Sequence, residues 1–133
     1  MRQWLVNPKY LCRKHLMGEH VESHMLAGSL NKGKSLDGFI KGGFVDVSKL
    51  HSRHEELVEE MKDRGYNHNS PLPEIVVDIP KNYYVSNVNI EFNIEDLKRR
   101  CPDCNKRITD QTMELIDLTK TFIKIEGAQH VSC

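Results

Sequence analysis

The chain reads as a mainly α protein, a compact single-domain helical bundle with long loops. Three observations predict this. Apolar residues recur at helical spacing in two long stretches, residues 8–30 and 48–65. Alternating strand patterns are few. The length of 133 residues suffices for one hydrophobic core without cross-links.

Residues 1–7 are expected as an extended arm. Asn7-Pro8 predicts a helix start, because Asn accepts a first-turn hydrogen bond and Pro at the first helical position loses none. That helix should run to residue 30, with Leu11, Leu16, Met17, Val21, Met25 and Leu26 as its buried stripe. Gly18 inside it costs about 1 kcal/mol against Ala, which predicts close approach by another backbone or a ligand. Asn31 to Lys34 is a loop, and Ser35 to Ile40 a short helical turn closed by Gly42-Gly43. Ser48 starts a second long helix that Gly65 ends. Leu50, Leu57, Val58 and Met61 line one side of it; Glu55, Glu56, Glu59, Glu60 and Lys62 line the other. Pro71, Pro73 and Pro80 make Tyr66 to Pro80 extended. Glu91 to Arg100 is a third helix, stopped by Pro102. Residues 103–133 hold Met113, Leu115, Ile116, Leu118, Phe122, Ile123 and Ile125, a last helix with a short strand or frayed end.

The formal net charge is zero, but it is unevenly spread. Residues 1–45 hold seven Lys or Arg against three Asp or Glu; the remainder holds twelve against sixteen. Such asymmetry points to a polyanion-binding face or to a chance excess on a solvated surface. No apolar run reaches membrane-spanning length, and Pro8, Lys9, Arg13 and Lys14 interrupt any signal-peptide core. A cytoplasmic setting is expected. There Cys12, Cys101, Cys104 and Cys133 are reduced thiols or metal ligands.

Four constellations carry possible chemistry. Cys12, His15, Glu19 and Glu22 fall on one helical stripe. A carboxylate there is a general base if water is excluded, and otherwise part of a solvated face. The terminal amine is the second. Its pKa near 7.7–8.0 leaves roughly a fifth unprotonated at neutral pH, against under ~0.1% for a typical Lys. It is therefore a ready nucleophile toward a masked aldehyde. Arg2 is bulky, so the Met1 amine itself is the expected group. The third is metal: Cys101 and Cys104 with His130 and Cys133 would complete a tetrahedral zinc site, and His20 with His24 offers a second pair. The fourth is a basic set, Arg2, Lys9, Arg13, Lys14, Lys32, Lys34 and Lys41, suited to phosphate contacts.

Several motifs in order now resemble a known family. His15-Leu16-Met17-Gly18-Glu19 is followed by Glu22. Arg53-His54-Glu55-Glu56-Leu57 comes next, then Lys62-Asp63-Arg64-Gly65-Tyr66-Asn67. Asp78-Ile79-Pro80 and Arg100 with Pro102 complete the series. The chain resembles the phage endonuclease V type of pyrimidine-dimer DNA glycosylases, small α proteins that are also abasic-site lyases. The resemblance covers residues 1–102, making 103–133 a divergent extension packed on the same domain.

The resemblance implies that the Met1 amine attacks the sugar C1′ as the damaged base leaves, giving a protonated imine. Glu22 matches the glutamate that stabilises the cation and assists β-elimination. His15 corresponds to a sugar-phosphate contact and Arg2 to the arginine beside the nucleophile. The remaining DNA contacts expected are Lys14, Lys32, Lys34, Arg53 and Arg64. No cofactor is needed, and the partner is double-stranded DNA with damaged or modified bases, bound by a monomer away from any membrane. Two departures bear on the lesion. Arginines flank the catalytic glutamate in the family's best-known members, where this chain has Val21 and Met25; and its tail after Arg100 is unrelated. The rival readings are a metal-dependent nuclease using Glu19, Glu22 and a histidine, and a non-catalytic damaged-DNA-binding module.

Overall fold

A computed structural model describes residues 1–68 and 70–113. Among them the regular structure is helical, with no strand. The helices are α1 (Arg13–Asn31), α2 (Asp37–Lys41), α3 (Leu50–Asp63) and α4 (Ile90–Arg100). A further helix, α5, covers residues 102–113. Single 3-10 turns occupy Pro8–Tyr10, Val47–Lys49 and Lys81–Tyr84. The predicted fold class holds. No described helix is long and apolar enough to cross a membrane.

The first helix starts later than its sequence predicted. The Asn7 side chain does accept from the Lys9 N–H, but it caps only a 3-10 turn that closes at Leu11. Cys12, with ψ of 168°, then restarts the chain as the N-cap of α1, its sulfur accepting from the His15 N–H. The buried face of α1 also differs. It consists of Leu16, Glu19, His20, Ser23, Leu26, Ala27 and Leu30, while Val21 and Met25 are 54% and 51% exposed. From Leu16, helical steps of three and four reach 19, 20, 23, 26 and 27, so polar residues share the interior stripe. Gly18 is exposed, and an added Cβ would meet nothing within 4 Å. The close approach expected there is absent among the described residues.

Gly65 does end α3. At φ +82° it follows the Arg64 cap; Tyr66 N–H donates to Met61 O and Gly65 N–H to Lys62 O, the paired bonds of a Schellman stop. Residues 66–80 run without helix, apart from undescribed residue 69, as the prolines require.

Two apolar clusters form the core. One joins Trp4, Val6, Leu11 and Leu16 to Leu57 and Met61 of α3, Leu97 of α4 and Ile108 of α5. The other joins Leu26, Ala27 and Leu30 of α1 to Leu36, Ile40, Val45 and Leu50. Helix α5 is fastened to the first cluster by Cys104 and Ile108, and its Arg107 and Gln111 side chains both donate to Lys9 O. Residues 114–133 lie outside the described part.

Candidate active site

The amino-terminal arm runs through the protein interior. Gln3 is fully buried: its N–H donates to Phe44 O at 2.7 Å and its Oε1 accepts from Asp46 N–H at 2.6 Å. Beside Phe44, Gly43 at φ +77° lets the chain at Asn87 come close, since a Cβ there would lie 2.7 Å from Asn87 O. Trp4 N–H donates to Glu19 Oε1 at 3.1 Å, and Trp4 O accepts from Asn93 Nδ2 at 2.8 Å. Leu5 turns the arm at φ 55°, a left-handed conformation that costs about 1–3 kcal/mol for such a residue. Val6 O accepts from Arg53 Nη1 at 2.6 Å. The half-buried Met1 side chain rests on the cluster formed by Leu26, Ala27 and Leu30.

Each carboxylate of the predicted stripe has a different environment. Glu19 is buried and doubly bonded by Arg53, Nε to Oε2 at 2.6 Å and Nη2 to Oε1 at 3.0 Å. A buried fork of this kind needs every oxygen satisfied, and the arm's Trp4 N–H supplies the third bond. Glu22 is half-buried one turn further on, and its Oε2 is buried with no hydrogen-bond partner among the described residues. Exposed Val21 and Met25 flank it.

The predicted phosphate contacts divide into two groups. Lys14, Lys32 and Lys34 are exposed. Arg53 is 2% exposed and bonded to Glu19, Val6 O and Glu56. Arg53, expected as a DNA contact, is an interior residue that bonds the arm at Val6 O. Arg64 is likewise engaged, donating to Glu60 Oε2, Pro8 O and Leu11 O. Arg2 lies 3.7 Å from the Trp4 ring centroid and reaches Asn93 Oδ1 at 2.8 Å and Asp96 Oδ2 at 3.0 Å. Burial alone would raise the Asp96 carboxyl. Hydrogen bonds from Arg99 and Arg2, with the charge of Arg100, hold it below the usual carboxylate range.

Four imidazoles gather beside this region. His20 and His24 of α1 meet His54 of α3 and His68 of the following loop, with ring centroids 4.8–5.5 Å apart. His20 Nε2 and His68 Nε2 are 2.9 Å apart, so one ring donates and the other accepts. Burial, then the neighbouring imidazoles, lower His20 to about 4. Ring nitrogens of His20, His54 and His68 lie within 4.8 Å of one another, a spacing a metal ion can bridge. Met17, Val21, Asn67 and Ser70 complete a cavity of about 310 Å³ around His20, His24 and His68. The HxxxH pair was legible in the sequence; the contributions of His54 and His68 were not.

Comparison with known families matches residues 1–74 to one described as pyrimidine dimer DNA glycosylase. The chain belongs to that family. No curated protein and no solved structure matches it. The family segment contains the arm, Glu19, Glu22, Arg53 and all four clustered histidines. The matched segment stops before α4 and α5, whose Asn93, Asp96, Cys101 and Cys104 pack around the arm and the start of α1.

His15, expected at the sugar-phosphate, is half-buried. His15 turns its Nδ1 toward sulfur, 3.2 Å from Cys12 Sγ and 3.5 Å from Cys104 Sγ. Of the zinc ligands expected from the sequence, Cys101 and Cys104 are in this same cluster. His130 and Cys133 lie outside the described residues.

Proposed function

We propose that this DNA glycosylase is also an abasic-site lyase whose nucleophile is the Met1 amine and whose carboxylate partner is Glu22. The amine nitrogen bonds to C1′ as the glycosidic C1′–N bond breaks and the base departs with its electron pair. Loss of a proton from nitrogen and opening of the C1′–O4′ bond, with O4′ protonated, give an imine. Protonated at nitrogen, this imine acidifies C2′. Removal of a C2′ proton then expels the 3′ phosphate. Glu22 offsets the positive nitrogen and assists that proton transfer.

The observation that carries this reading is the buried arm. An end held by the Gln3 N–H on Phe44 O and by the Trp4 N–H on Glu19 of α1 is pre-ordered, so little entropy is lost when the amine meets the sugar. The partnerless Glu22 oxygen supports it further, since a carboxylate left unpaired in a half-buried position is available to a cation. The substrate is duplex DNA carrying a pyrimidine dimer or another damaged base, bound by a monomer through Lys14, Lys32 and Lys34.

Borohydride trapping on duplex DNA with an abasic site tests it, without added divalent cation. Peptide mapping should locate the adduct on Met1, and acetylating the terminus should abolish it. An adduct mapped to a lysine, or none from the unblocked protein, overturns the assignment.

A further inference from the structure

We propose that Cys12, His15, Cys101 and Cys104 bind one zinc ion as a closed structural site. The ligands come from two short motifs of equal spacing, Cys12-x-x-His15 at the N-cap of α1 and Cys101-x-x-Cys104 across the α4–α5 junction. Their donor atoms all lie within 4.8 Å of one another.

The separations have the size of a zinc coordination sphere. With Zn–S of about 2.3 Å and Zn–N of about 2.0–2.1 Å, a tetrahedron has S···S edges of about 3.8 Å and S···N edges of about 3.5 Å. Cys12 Sγ and Cys101 Sγ are 3.8 Å apart. His15 Nδ1 lies 3.2 Å from Cys12 Sγ and 3.5 Å from Cys104 Sγ. Three sulfurs and an imidazole nitrogen are a donor set that zinc prefers.

Backbone donors already point at the sulfurs. Cys12 N–H lies 3.2 Å from Cys104 Sγ, Cys104 N–H 3.4 Å from Cys101 Sγ, and His15 N–H 3.5 Å from Cys12 Sγ. Such bonds stabilise thiolates and orient ligands around a metal. On binding, the three thiols release their protons, and three thiolates with Zn²⁺ and a neutral imidazole carry one net negative charge. The cavity beside Cys12 is lined by Arg13, Arg64, Lys106 and Arg107 against Asp103 and Asp110, and this surplus of positive charge offsets it.

Four protein ligands leave no open coordination position, so the metal is structural and not catalytic. It would join the start of α1, the end of α4 and the first turn of α5. Edge contact between His15 and Trp4, with centroids 5.7 Å apart, connects it to the buried arm.

The test is metal content of the full chain purified without chelator, followed by cobalt substitution. One zinc per chain is expected, lost in Cys101→Ser and in Cys104→Ser and retained in His54→Ala. Because the serine variants could unfold, the wild-type protein is also stripped and titrated with Co²⁺. Thiolate-to-cobalt charge-transfer absorption with intense tetrahedral d–d bands is the expected result. Absence of those bands overturns the site. So does zinc that survives both cysteine substitutions but is lost in His54→Ala, which would assign the metal to the imidazole cluster.

Discussion

Trp4 and Glu19 are joined by a single hydrogen bond, backbone N–H to Oε1 at 3.1 Å, that docks the amino-terminal arm on α1. Arg53 of α3 bonds both oxygens of the same carboxylate and compensates its buried charge. One buried ion pair thus couples the α1–α3 packing to the position of the chain's first residues. Under the proposed mechanism, in which the chain works through its terminal amine, an ordered arm is part of the chemistry.

Arg53→Ala should leave the buried Glu19 charge uncompensated and destabilise the protein by about 3–5 kcal/mol. Urea unfolding should show a lower midpoint with an unchanged slope. Arg53→Lys should not restore it, since an ammonium cannot span both oxygens and Val6 O. Lys32→Ala should leave the midpoint alone and weaken DNA binding. A midpoint unmoved by Arg53→Ala would mean that the pair does not hold the arm.

Much of this architecture was legible in the chain. Helix α3 follows its apolar positions and its terminal Gly65, α4 ends ahead of Pro102 as expected, and the loop follows its prolines. What the sequence concealed is long-range pairing. Nothing local distinguishes Arg53, which ends up interior, from the exposed Lys32 and Lys34, because burial follows from meeting Glu19 34 positions away. Val21 and Met25 were placed in the core by hydrophobicity, although the register of Leu16, Leu26 and Leu30 excludes them. Cys12 was read as one member of an acidic stripe. Its two-residue spacing to His15, equal to that of Cys101 and Cys104, was the signal that could have found the sulfur cluster.

Glu22→Gln keeps the shape of the side chain and removes its charge. Binding to abasic-site duplex should persist, while strand cleavage falls by at least about tenfold. Gel-shift and single-turnover cleavage measurements separate the two. Cleavage at the wild-type rate would remove Glu22 from the mechanism.

The exposed positions of Val21 and Met25 make them sites where cations can be added without disturbing the core. Val21→Arg with Met25→Arg should tighten duplex binding at low salt. The slope of log affinity against log salt should steepen by about 0.9 for each phosphate reached. An unchanged slope would show that DNA does not approach this side of Glu22.

The imidazole cluster makes stability sensitive to mild acid. Folded His20 titrates at about 4, lowered first by burial and then by His54, His24 and His68, and His24 is shifted in the same direction. Unfolded histidine binds its proton near 6.5. Between these values the unfolded chain binds more protons, so stability is present above about 6.5 and falls as pH drops toward 4. The loss from His20 is on the order of 1–3 kcal/mol. Urea midpoints measured from pH 7.5 to pH 4.5 should therefore decline, and His20→Gln should flatten the decline. Equal slopes for the two proteins would mean that other groups govern acid unfolding.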